Sequence, residues 1–352
     1  MLRLTAMLAL VGMWLAAQTS PPSAQSSSNN PSAQHNEPSS SPPGAAQTQT
    51  PPAAEPAETR KDKAGDLYVF HKQVDEVLLH ATVVDERNRL VTNLERNDFT
   101  VFENGKPQKM TSFRREDIPV AMGIVIDNSG SMREKRPAVN AAAINLVQAS
   151  NPQDKVFIVN FNEEYFLDQD YTSSIPKLKD ALERIEARGG TALYDATVAS
   201  ADHLKKAGSL EKKVLLVVTD GEDNASRESL EQTVRRLQFE NGPTVYTIGL
   251  LQEEHSKRAR RALRAMAEET GGEAFFPKDL AEVNAIASQI AHDIRNQYTI
   301  GYKPDTPQNV GGYRTIKVDA QAKGYKKLQV RTRSGYYAGR QQASAGVRTG
   351  SE

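Results

Sequence analysis

At 352 residues the chain is longer than a single hydrophobic core usually supports, so more than one folded part is expected. Its 44 Lys and Arg balance 44 Asp and Glu, and a formal net charge of zero argues against nucleic acid or another polyanion as the partner. The absence of cysteine excludes disulfides, thiolate metal sites and lipid attachment through an N-terminal Cys.

Arg3 is followed by an apolar run from Leu4 to Ala17, broken only by Thr5 and Gly12, and then by polar Gln18-Thr19-Ser20. Residues 1–17 read as an export signal ending near Ala16-Ala17 or, if left uncleaved, as a membrane anchor. From 18 to 65 the chain is rich in Pro, Ser, Gln and Ala and has almost no apolar bulk to offset its conformational entropy, so a disordered tether is expected. Residues 66–118 form an N-terminal β segment. Val77, Leu79, Ala81 and Val83 alternate as one side of a strand, and Phe99–Phe102 leads into Glu103-Asn104-Gly105-Lys106, where Asn-Gly predicts a hairpin.

Between 119 and 296 short apolar runs alternate with helix-like stretches, the pattern of a doubly wound α/β sheet covered on both faces. Strands are predicted over Met122–Ile126, Val156–Phe161, Val214–Val218 and Val245–Leu250, with a short edge strand at Tyr165–Tyr171 and a last one at Gly272–Phe276. Helices are predicted over Lys135–Ala149, Pro176–Ile185, Ala192–Lys206, Ser226–Leu237, Ser256–Thr270 and Leu280–Arg295. Alternation returns over 297–338, with strands at Tyr298–Tyr302, Tyr313–Ala320 and Leu328–Thr332, and 339–352 read as a disordered tail. Neither β flank is large enough to bury a good core alone, so both are expected to form one composite β-sandwich into which the α/β part is inserted.

The chemistry concentrates at Asp127-Asn128-Ser129-Gly130-Ser131, which closes the first α/β strand. Alternate residues of such a turn can aim one carboxylate and two hydroxyls at a common centre, a donor set for a hard, oxygen-seeking cation. His35, His71, His80, His203, His255 and His292 never fall at zinc-ligand spacing. Two later segments join the pattern: Gly189-Gly190-Thr191 before a helix, and Thr219-Asp220-Gly221-Glu222-Asp223-Asn224 after a strand.

Together these resemble the metal-ion-dependent adhesion site of von Willebrand factor type A domains, whose pattern is Asp-x-Ser-x-Ser, a Thr in a middle loop and an Asp after the fourth strand. The resemblance places Asp127, Ser129, Ser131, Thr191 and Asp220 around one Mg²⁺ or Mn²⁺ and implies a Rossmann-like fold with the two Asp-bearing strands adjacent. It further implies an adhesion-type role, in which the metal completes its shell with an acidic side chain of a protein partner. The wider arrangement is similar to exported bacterial von Willebrand factor A-related proteins, so a secreted or periplasmic location is expected, with membrane attachment only through an uncleaved N-terminus. A structural or assembly role, in which the metal only stabilises the fold, stays open. An enzyme is not expected: Ser129 or Ser131 with His255 would lack a Gly-x-Ser-x-Gly elbow and an acid partner, and Asp-x-Asp phosphoryl chemistry needs a carboxylate where Ser129 stands. The basic stretch Lys257–Arg261 reads as a solvated helix face, and His203 as a surface or packing residue.

Overall fold

The computed structural model describes residues 76–184, 187–207, 210–251, 257–307 and 309–339. The predicted signal and tether, His255, residues 66–75 of the N-terminal β segment and residues 340–352 of the predicted tail lie outside these residues. Among the described residues no helix is long and apolar enough to cross a membrane.

The α/β part is built on a six-stranded sheet. Its strands are β5 (Val120–Asp127), β6 (Lys155–Phe161), β7 (Tyr165–Thr172), β8 (Lys212–Thr219), β9 (Thr244–Gly249) and β10 (Ala274–Phe275), in the order β10-β9-β8-β5-β6-β7. All pairings are parallel except β6 with β7, the predicted edge strand. Every residue of β5 is buried, as its unbroken apolar run requires of a strand with no wet face. On one side Met122, Ile124 and Ile126 pack with the helices α1 (Arg136–Ala149), α2 (Ile175–Glu183) and α6 (Ala281–Arg295). On the other, Ala121 and Val125 pack with α3 (Leu193–Leu204), α4 (Leu230–Leu237) and α5 (Lys257–Glu268).

The chain leaves β5 in one direction, to β6 and β7, and returns on its other side at β8, so strand order reverses between β5 and β8. Open α/β sheets bind ligands beyond the carboxyl ends of their strands at such a reversal.

The helix predicted from Ser226 starts later. Ser226 Oγ accepts the amides of Tyr194 and Asp195 at 3.0 Å, and Arg227 N and Glu228 N donate to Asp195, so this stretch caps α3. The helix α4 begins after Ser229, whose side chain and that of Gln232 form a reciprocal capping box.

The flanks contribute β1 (Val77–Asp85), β2 (Phe99–Glu103), β3 (Lys106–Gln108) and β4 (Met110–Arg114) before the α/β part, and β11 (Tyr298–Tyr302), β12 (Gly312–Ala320), β13 (Leu328–Arg331) and β14 (Gly335–Ala338) after it. They form two four-stranded sheets, β13-β1-β11-β4 and β14-β12-β2-β3, each drawing strands from both flanks. One core joins them, with Val77, Leu79, Ala81 and Val83 packed among Phe99, Val101, Tyr298, Ile300, Ile316, Val318 and Tyr336. The predicted hairpin is present: Asn104 and Gly105 both have positive φ, 49° and 76°, as a turn matched to strand twist requires.

Candidate metal centre

The end of β5 is fixed by its neighbours. Asn128 N donates to Phe161 O of β6 at 2.6 Å, and the fully buried Asp127 accepts the Ser129 amide through Oδ1 at 2.8 Å. The carboxylate thus shapes the turn that follows it. Ser129 is extended, Gly130–Met132 makes one 3-10 turn, and buried Met132 roots that turn in the core. The turn brings Ser129 Oγ and Ser131 Oγ to 3.2 Å.

The loop bearing Thr191 docks on this turn, with Gly130 N donating to Gly189 O and Arg188 N to Asn128 O. Gly189 has φ +79°, a conformation that favours glycine, and a Cβ there would also displace the Glu163 carboxylate, whose Oε2 would lie 2.2 Å away. Glu163 Oε1 accepts the Gly190 amide at 2.8 Å and Asn162 O accepts that of Ala192 at 2.6 Å. Asn224 clamps Thr191 from the other side: its Oδ1 accepts Thr191 N at 2.9 Å and its amide donates to Thr191 O at 3.0 Å. The Thr191 hydroxyl ends 3.7 Å from where a Cβ on Gly221 would stand, beside the end of β8.

From β8, Thr219 Oγ1 donates to Asp127 Oδ2 at 2.6 Å and accepts the Gly221 amide at 3.2 Å. Asp220 Oδ1 accepts the Ser131 hydroxyl at 2.8 Å, and Asp220 Oδ2 accepts the Lys135 ammonium. The five positions predicted from sequence therefore meet at the reversal between β5 and β8. Thr219, Lys135, Glu163, Asn162 and Asn224 support the site from outside the predicted set. Of these only Lys135 carried a signal, being a cation at the start of a helix, where acids are favoured.

Burial pushes the Asp127 carboxyl above the ordinary carboxylate range. The Thr219 hydroxyl and the Ser129 amide pull it back, and the charge of Asp220 raises it further. Two carboxylates that feel each other's charge, with little solvent at either side chain, are a combination that bound positive charge relieves. The donor set fits a hard divalent cation: two carboxylates and three hydroxyls, all oxygen, with too few protein ligands to fill an octahedral shell. Among the described residues no three His, Cys, Asp or Glu side chains gather as an alternative metal site. His80 instead bonds Thr299 in the sandwich, and His203 stacks on Tyr171 as the predicted packing residue. Among the described residues neither serine has an imidazole partner; their hydroxyls meet each other and Asp220.

Residues 122–222, which include all five donors, match the family model of the von Willebrand factor type A domain. This part of the chain is a von Willebrand factor type A domain, as the motifs implied. Among solved structures, the chain is similar to the vWF domain of the type V pili tip protein Mfa5 from Porphyromonas gingivalis, at 14% identity over 51% of this chain and 95% of that one, with a TM-score of 0.43. It is similar to proximal thread matrix protein 1 from the mussel byssus at 15% identity over 51% of this chain, with a TM-score of 0.43, and spans 49% of that protein's length. A von Willebrand factor type A structure from Catenulispora acidiphila is 16% identical over 76% of this chain and 74% of that one, also with a TM-score of 0.43. No curated protein matches the chain.

Proposed function

We propose that this chain is an exported, non-enzymatic protein-binding module that captures an acidic side chain of a partner through a bound Mg²⁺ or Mn²⁺. The observation that carries the reading is the convergence of Asp127, Ser129, Ser131, Thr191 and Asp220 at the strand-order reversal. Asp127 and Asp220 supply the charge. Ser129, Ser131 and Thr191 supply neutral oxygens, and Thr219 aims Asp127. Such a donor set leaves a divalent cation with residual positive charge and an incomplete shell, and a partner carboxylate satisfies both. Export rests on the N-terminal segment, which has the charge and apolar length of a signal.

The test is calorimetric titration of Mg²⁺ and Mn²⁺ into the metal-stripped full chain, with and without acetate as a carboxylate probe, beside Asp127→Ala and Asp220→Ala variants checked for folding. Saturable binding, tightened by acetate and lost in both folded variants, is the expected outcome. A wild-type chain that takes up neither metal, even with acetate present, refutes the reading. Metal binding that raises stability but ignores acetate would favour the structural role instead.

A further inference from the structure

Lys135 stands at a position that local helix chemistry does not favour. It is the residue that caps the start of α1, has no side-chain cap bond, and is followed by Arg136, with no acid in the first turn. Helix starts prefer Ser, Thr, Asp or Asn and repel cations, because the exposed amides there carry partial positive charge. The ammonium is held from across the site instead. It donates to Asp220 Oδ2 and lies 3.5 Å from Ser131 O. The Lys135 side chain is 19% exposed and that of Asp220 1%, so the lysine closes over the carboxylate.

With Ser131 on Oδ1 and Lys135 on Oδ2, both Asp220 oxygens are engaged. The ammonium therefore faces the same acid and the same serine turn that a divalent cation would use. Two positive charges at one carboxylate repel strongly where solvent is scarce. The neighbouring cations are bonded elsewhere: Arg136 is buried and donates to Leu182 O, and Arg133 donates to Ala187 O. Among the described residues, Lys135 alone combines contact with Asp220 and a flexible, partly exposed stem.

We infer that Lys135 is an intramolecular competitor for the divalent cation: its ammonium holds Asp220 until the cation enters, and must leave Asp220 for the cation to seat. The inference rests on the metal-dependent reading above. It makes Lys135 a residue that sets the cation concentration at which the site loads, and it makes loading and release of the lysine one event.

The test compares Mg²⁺ titrations of the full-length wild type, Lys135→Met, Lys135→Arg and Lys155→Met by calorimetry with acetate present, together with thermal melting with and without Mg²⁺. Lys155 is an exposed lysine at the far end of β6 and controls for net charge. Lys135→Met is expected to bind Mg²⁺ up to about fivefold more tightly, the scale on which an ion pair partly open to solvent competes. It should also gain more in Tm on adding Mg²⁺ than the wild type, because its Asp220 lacks a cation in the metal-free state. Lys135→Arg and Lys155→Met should show neither gain. Should Lys135→Met fail to fold, Lys135→Gln carries the same expectation. Wild-type binding with equal or weaker binding by the neutral variant, or an equal gain in Lys155→Met, overturns the inference and leaves the metal reading standing. No Mg²⁺ uptake by any of the proteins overturns both.

Discussion

Thr219 shows how much of the candidate site depends on a residue that touches no ligand. Its hydroxyl is the partner of Asp127 Oδ2 at 2.6 Å inside a fully buried corner, so it orients the acid and favours its charged form. Thr219→Val keeps the shape and removes that bond together with the one Thr219 accepts from Gly221 N. The variant should fold, lose about 1–3 kcal/mol for the unpaired buried oxygen, and bind Mg²⁺ about 10- to 100-fold more weakly, as losses behind metal ligands usually do. Calorimetry and a urea melt read the two effects separately. Asp127, Ser129 and Ser131 were legible in the sequence because a short turn closing an apolar strand leaves their oxygens few directions to point. Thr191 and Asp220 were placed by the resemblance, since their approach depends on loop contacts such as Glu163 to Gly190 that no local pattern encodes. Thr219 acts by side-chain reach from β8 to the end of β5, and Lys135 from the start of α1 to Asp220, pairings that spacing along the chain does not express.

The elements that could be read were those whose burial is uniform. The strands β5, β6, β8 and β9 are near-continuous apolar runs because helices cover both of their faces, whereas β1 alternates in burial over Val77–His80 and is buried throughout from Ala81 to Asp85. The strands β4 and β14 carry no such pattern: β4 has no buried residue to set a period, and β14 is four residues long and opens with glycine. The helix α4 starts later than its local sequence implies because Asp223 and Ser226 serve α3, a tertiary use of residues that read locally as helix formers or caps. Within β5, Gly123 marks a close approach rather than a turn. A Cβ there would lie 2.3 Å from Phe157 Cζ and 2.6 Å from Leu215 Cδ2, rings and branches already packed in the core. Gly123→Ala should therefore destabilise the chain by about 1–3 kcal/mol through overpacking, seen as a lower urea midpoint with an unchanged slope. An unchanged midpoint would mean that Phe157 can move aside at no cost.

At the scale of the whole molecule, the composite sandwich followed from sequence because each flank is too small to close a core, but the way it holds the α/β part did not. The last helix passes into β11 through only Asn296 and the buried Gln297. Arg331 of the sandwich bonds Asp293 of α6 and Glu273, and Arg333 donates to the carbonyls of Phe239, Glu240 and Gly242. These contacts gather at the starts of the central strands, the end of the sheet opposite Asp127, so the grip leaves the candidate site open. Lys212, the first residue of β8, sits in this junction: it is buried, donates to Ile294 O at the end of α6, and feels Asp117 and Asp154. Burial outweighs those acids and pulls its ammonium down to about 8 from 10.5. Folding thus favours the neutral amine, which can still donate to Ile294 O. Between about pH 8 and 10.5 the unfolded chain holds the extra proton, so this residue's contribution to stability rises with pH in that window, while below about 8 both states are charged and the contribution is constant. Lys212→Met removes the titration and keeps the stem. The stability of the wild type minus that of the variant, from urea unfolding, should be flat below about pH 8 and grow in favour of the wild type above it. A difference that stays flat through that window would mean the junction tolerates the charge, and that the sandwich meets the α/β part through a wetter seam than its buried lysine implies.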